Sequence, residues 1–88
     1  MIIKAIKIEP ETAVKIFENH NVLQEEVYEV FADKPKFKKA GGDQYIAIGL
    51  SKSRYLTIFF RYDKKTKEAE LTTAYPSDKI QIKFYKKK

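Results

Sequence analysis

The chain has 88 residues, of which 43% are hydrophobic and 14% aromatic. That length makes one small domain, 1–88, because single folding units usually run to about 100–200 residues. The apolar content excludes a disordered chain and a fibre, and the length excludes a multidomain enzyme. There is no Cys and one His, His20. A disulfide scaffold or Cys-based metal site is therefore excluded, and a zinc centre would need three carboxylates gathered around a single imidazole. The expectation is no metal and no cofactor.

No apolar run approaches the ~20 residues of a membrane helix. Met1–Lys7 lacks the long apolar stretch and small-residue cleavage site of a signal peptide. The expected location is cytoplasmic, without a membrane partner. Eighteen Lys and Arg against 12 acids give a net charge of +6. A small basic domain favours anionic partners, with nucleic acid or an acidic protein first, although the same surplus also keeps a small protein soluble. The sign is uneven along the chain. Residues 9–33 hold Glu9, Glu11, Glu18, Glu25, Glu26, Glu29 and Asp33 against only Lys15, whereas 34–39 and 79–88 are strongly basic. One face is expected to be acidic and another basic.

Residues 2–8 alternate after Ile2, with Ile6 and Ile8 opposite Lys7, which predicts a strand. Ala13, Ile16, Phe17 and His20 then fall on one stripe of a helix over 11–19, and Asn21 suits its left-handed end. A second helix spans 23–32, with Leu23, Val27, Val30 and Phe31 inward and Glu25, Glu26 and Glu29 outward. Its acidic first turn complements the helix dipole. Two helices so closely joined form a hairpin whose apolar stripes need a sheet to cover them. Pro35 stops the second helix, Lys34–Lys39 is a loop or short edge strand, and Gly41-Gly42-Asp43 is a turn. Strands are predicted at 45–50, 55–62 and 68–74, with connections short enough for an antiparallel meander. The C-terminal Ser77–Lys88 carries two signals. Ser77 after Pro76 reads as a helix N-cap, yet Ile80, Ile82 and Phe84 alternate like a strand; a short helix is the reading adopted. The fold class is α+β, an antiparallel sheet of four or more strands with a two-helix hairpin packed on one face.

Alternation separates the faces of that sheet. Ile46, Ile48 and Leu50 are expected to join Leu56, Ile58, Phe60 and Tyr62, and then Ala69, Leu71 and Thr73, beneath the helices. The other face would carry Tyr45, Ala47, Tyr55, Thr57, Phe59, Arg61, Glu70 and Thr72. Aromatics among cations suit single-stranded RNA, since bases stack on rings while Lys and Arg hold phosphates. Tyr45, Tyr55, Lys83, Lys86 and Lys87 are the candidate RNA contacts. The alternative is that Tyr55 and Phe59 pack under the C-terminal segment, and for Phe59 that is the simpler reading. His20 suits acid–base work, but a ring closing the last helical turn is the simpler role.

The order and spacing of several short words resemble the BrnT-type toxins, ribonucleases of the RelE/ParE superfamily. These words are Lys15–Val22, Glu25–Asp33, Tyr45–Gly49, Arg54–Phe60 and Leu71–Tyr75, ahead of a terminal Tyr85. The resemblance implies a RelE-like sheet with an RNA-cleaving groove opposite the helical hairpin, and neutralisation by a cognate antitoxin protein. Where those toxins carry Arg after the last strand, this chain has Tyr75. Metal-free cleavage needs a base for the 2′-hydroxyl, a donor for the leaving oxygen and cations for the developing charge. On the resemblance, Arg61 and Arg54 would stabilise that charge, Tyr75 or Tyr85 would orient the reacting groups, and His20 would be the acid or base. A second reading keeps the fold as a non-catalytic basic RNA-binding domain, and a third makes the aromatic face a protein interface.

Overall fold

Five strands and three helices make up the computed structural model, which describes residues 1–87. In chain order they are β1 (Ala5–Lys7), α1 (Pro10–His20), α2 (Gln24–Ala32), β2 (Lys36–Gly41), β3 (Gln44–Leu50), β4 (Tyr55–Asp63), β5 (Glu68–Pro76) and α3 (Lys79–Lys86). The strands lie in the order β1-β5-β4-β3-β2. β2 to β5 form the expected antiparallel meander. β1 is shorter than residues 2–8 and pairs in parallel with β5 through Ala5, Ile6 and Lys7. The whole helical hairpin and meander therefore intervene between these neighbours, a separation that parallel pairing requires.

Local chemistry accounts for the hairpin. Pro10 stands at the first turn of α1, where its missing N–H has no intrahelical role to lose. Asn21 takes the left-handed conformation at φ 55° and ψ 37°, and its N–H donates to the Phe17 carbonyl at 2.9 Å. Buried Val22 follows, and the Leu23 N–H opening α2 donates to Glu26 Oε1 at 3.1 Å.

Beneath the hairpin, Ile16, Val27 and Val30 meet Ala47, Leu56, Ile58, Phe60, Ala69, Leu71 and Ala74, all buried. Ile58 is fully buried, as the reading of β4 requires. The reading of β3 is reversed. Leu50 pairs with Tyr55, so Ile48 opposes Thr57 and Ile46 opposes Phe59. Tyr45 and Ala47 consequently turn to the hairpin, while Ile46, Ile48 and Leu50 turn away from it. β3 is apolar on both sides because both sides of the sheet are covered, and alternation then gives no direction. β5 differs for another reason. Its register shifts between Phe59↔Thr73 and Phe60↔Leu71, which leaves Thr72 as an extra residue. That bulge moves Thr73 to the far face and brings Ala74 into the core.

The far face is crossed by α3. Asp78, one residue beyond Ser77, is its N-cap: Asp78 Oδ1 accepts from the Gln81 N–H at 2.8 Å, and Gln81 Oε1 accepts from the Asp78 N–H at 3.0 Å. Lys36, Ile48, Thr57 and Tyr75 are successive cross-strand partners and so share one row. Gln81 bonds Thr57 and Tyr75, and the Phe84 carbonyl accepts from Lys36 Nζ. α3 thus runs along that row from β5 towards β2. Its helical course places Ile80 on the outer side, 80% exposed, and Phe84 and Tyr85 half-buried against the sheet.

One glycine is required by close packing. A Cβ on Gly49 would stand 3.1 Å from Pro35 Cβ and 3.2 Å from Val30 Cγ1. Gly49→Ala is expected to destabilise the domain by about 1–3 kcal/mol through overpacking. Urea unfolding checks this: the midpoint should fall while the slope stays unchanged.

Candidate functional site

The point of densest polar chemistry lies where α3 begins over β4 and β5. Thr57 is fully buried, and its hydroxyl lies 2.7 Å from Ser77 Oγ and donates to Gln81 Oε1 at 2.9 Å. Gln81 Oε1 also accepts from the Asp78 backbone N–H, which can only donate, so the orientation of the amide is fixed. Gln81 Nε2 must then donate to the Tyr75 hydroxyl oxygen, 2.9 Å away. With that oxygen accepting, the Tyr75 proton is directed elsewhere.

The Tyr75 ring meets two partners. Phe59 lies with its centroid 6.0 Å away, and His20 at 5.8 Å with the rings tilted by 51°. His20 reaches this place because α1 packs over β5, whose pairing with β1 stops at Glu70 and leaves the later residues as an edge. The Asn21 and Val22 N–H groups close the end of α1 on the Phe17 and Ile16 carbonyls, and the His20 imidazole is exposed there. In place of the expected ring closing the last turn, the structure sets the imidazole against Tyr75. Phe59 shares its row with Lys38, Ile46 and Thr73.

A second cluster sits near the other end of α3. Tyr55 meets Tyr85 edge-on at 5.6 Å and lies beneath Lys86 Nζ, also at 5.6 Å. Lys36 and Lys38 place their ammonium groups 5.8 and 5.6 Å from the Phe84 ring. The rings here are occupied by α3 and its cations. Tyr55 therefore packs under the C-terminal helix, whereas Phe59 packs against Tyr75.

The remaining candidates scatter. Tyr45 is not on the far face: it stacks on Phe60 at 6.0 Å and meets Tyr62 edge-on at 5.9 Å, on the hairpin side. It belongs to the core layer and not to an RNA surface. Arg54 is likewise removed from the far face. Its Nε and Nη2 donate to the two Glu26 carboxylate oxygens at 2.9 and 2.8 Å, and Nη2 also donates to the Asn21 carbonyl at 2.6 Å. That bidentate fork ties the β3–β4 turn to the hairpin, a structural role. Arg61 is exposed at the opposite end of β4, with Nη2 3.5 Å from Asp43 Oδ2. Seven residues of extended chain separate the two arginines by roughly 23 Å, so they cannot share one phosphate. Lys83 is exposed on α3 and Lys87 just beyond its end, and Lys88, the last of the terminal lysines, lies outside the described residues. The site thus gathers His20 and Tyr75 from the candidates and adds Gln81, Thr57 and Phe59. Only the Asp78-x-x-Gln81 capping spacing announced Gln81 in the sequence.

The Arg54 fork has a consequence for pH. Hydrogen bonds from Arg54 hold the Glu26 carboxyl below its usual value of 4.5, against the opposing effect of burial, with the Leu23 N–H and Ser51 hydroxyl assisting. A depressed folded-state pKa contributes stability that is present above the unfolded value and lost as pH falls through the folded one. Glu26→Gln is expected to cost about 1–2 kcal/mol at neutral pH, the Arg54 end being partly solvated. It should also flatten the loss of stability below pH 4.5, which thermal melts from neutral to acid pH would register.

No protein-family model and no curated protein match the sequence. Among solved structures, the chain is similar to the crystal structure of the Brucella abortus ribonuclease toxin BrnT, with a TM-score of 0.71 at 13% identity. The likeness covers 85% of this chain and 97% of that one. The mixed α+β architecture, with its five-stranded sheet and three helices, is therefore a fold shared with that ribonuclease toxin.

Proposed function

We propose that this chain is the toxin of a toxin–antitoxin pair and that it cleaves RNA without a metal. The observation that carries the proposal is the likeness to a ribonuclease toxin over 97% of that toxin's chain. The pairing of His20 with Tyr75 supplies the chemistry. The imidazole takes the proton of a 2′-hydroxyl as its oxygen attacks the adjacent phosphorus. The P–O5′ bond breaks, and the 5′-oxygen leaves with a proton from the acid partner. The Tyr75 hydroxyl, its oxygen occupied by Gln81, presents a proton to the phosphate or leaving oxygen. Phe59 offers a ring for an unstacked base. Lys38, Lys83 and Arg61 supply the positive field, and a protein antitoxin would neutralise the activity.

A second reading, RNA binding without cleavage, is favoured by one observation. No guanidinium stands beside His20 among the described residues: Arg54 is locked to Glu26, and Arg61 lies roughly 13 Å along β4 from the row of Thr57 and Tyr75. Induced expression separates the two. Growth arrest with cut cellular RNA, relieved by His20→Ala, is the result expected for the toxin. Growth arrest absent with RNA bound but whole is the result expected for the binding domain.

A further inference from the structure

The outer surface of the helical hairpin carries a feature that RNA chemistry does not use. Val14, Phe17 and Leu23 are 53%, 51% and 47% exposed and line a shallow groove of about 280 Å³ between α1 and the start of α2. Exposed apolar groups gathered in this way mark an interaction surface. The groove is too small and open for a drug-sized ligand, which needs about 300–1,000 Å³ of enclosing walls. It suits a row of side chains from a helix. Its rim is acidic, with Glu18 and Glu25 on the groove itself and one Lys against seven acids in the whole segment 9–33.

We infer that this groove docks a basic amphipathic helix of another protein, apolar side chains against Phe17 and Leu23 and cations against Glu18 and Glu25. The charge argument rests on contrast, because the protein as a whole is at +6 while seven of its twelve acids fall in this one segment. The chain owns a helix of related chemistry, α3, on which Ile80, Lys83 and Lys86 are exposed while Phe84 is half-buried. α3 lies on the opposite side of the sheet from the hairpin, however. Copies joined groove to α3 would add head to tail into rings or filaments, and their like net charges oppose it. A separate partner fits better.

The test uses the full chain and two labelled peptides, an amphipathic Leu/Lys helix and its Leu/Glu counterpart, with binding followed by fluorescence anisotropy. The Leu/Lys peptide should bind, the Leu/Glu peptide should not, and Phe17→Asp should weaken binding at least about tenfold. Phe17 is half-exposed, so the fold should survive, and a Glu18→Lys/Glu25→Lys variant gives the same readout by charge alone. Equal binding of both peptides would overturn the inference, as would unchanged affinity in both variants. A concentration-dependent mass that Phe17→Asp abolishes would overturn it in favour of a second copy. RNA cleavage plays no part in the readout, so the outcome stands apart from the toxin reading.

Discussion

Replacing His20 by Ala is expected to lower RNA cleavage by about 10²–10⁴-fold, the usual worth of a positioned acid or base. The imidazole is exposed at the end of α1, which the Asn21 and Val22 N–H groups close on the Phe17 and Ile16 carbonyls, so the core does not depend on it. RNA affinity should change little, which separates chemistry from binding. Tyr75→Phe keeps the ring against Phe59 and removes only the hydroxyl that Gln81 positions. Its expected loss is about 10²–10³-fold, the cost of one aimed donor. Single-turnover cleavage of a labelled RNA at saturating protein measures both variants. Rates equal to wild type would clear these residues of the chemistry.

Ile58→Ala should destabilise the domain by about 2–5 kcal/mol, the range for truncating a buried aliphatic side chain. Ile58 is fully buried at the centre of β4, opposite Ala47 on one neighbour and Ala74 on the other. Small residues on both sides leave little to collapse into the space, which favours the upper part of that range. Stability of a domain this size is itself only about 5–10 kcal/mol. The variant is therefore expected to melt well below wild type, and calorimetry or denaturant titration would show it.

Much of this fold was legible where one physical signal dominated. The Asn21 stop and the alternation of β4 each had a single reading, and each has its expected place. Of the hairpin residues expected inward, Ile16, Val27 and Val30 are buried, whereas Phe17 and Leu23 are half-exposed and His20 is exposed. β3 misled because Ile46 and Ile48 are as apolar as Tyr45 and Ala47, a strand covered on both sides having no polar face to orient it. The Thr72 bulge left no local mark, and it reassigned Thr73 and Ala74. β1 was readable as a strand, but its parallel pairing with β5 depends on tertiary return of the chain.

The site shows the same division. His20 and Tyr75 were readable as chemistry-bearing residue types, yet they are 55 positions apart and meet only because α1 packs over the β5 edge. Arg54 was readable as a cation and not as the partner of Glu26, 28 positions away. Once that carboxylate claims it, Arg54 ties the fold together in place of stabilising a phosphate. Tyr55 carried both readings, and packing under Tyr85 and Lys86 chose the structural one.

The most direct measurement is cleavage of a labelled RNA by the purified chain, antitoxin removed, ribosomes present, and a chelator added. Discrete cut products that survive the chelator and disappear with His20→Ala are the predicted result. Intact RNA under those conditions, with the protein folded and bound to it, would contradict a ribonuclease.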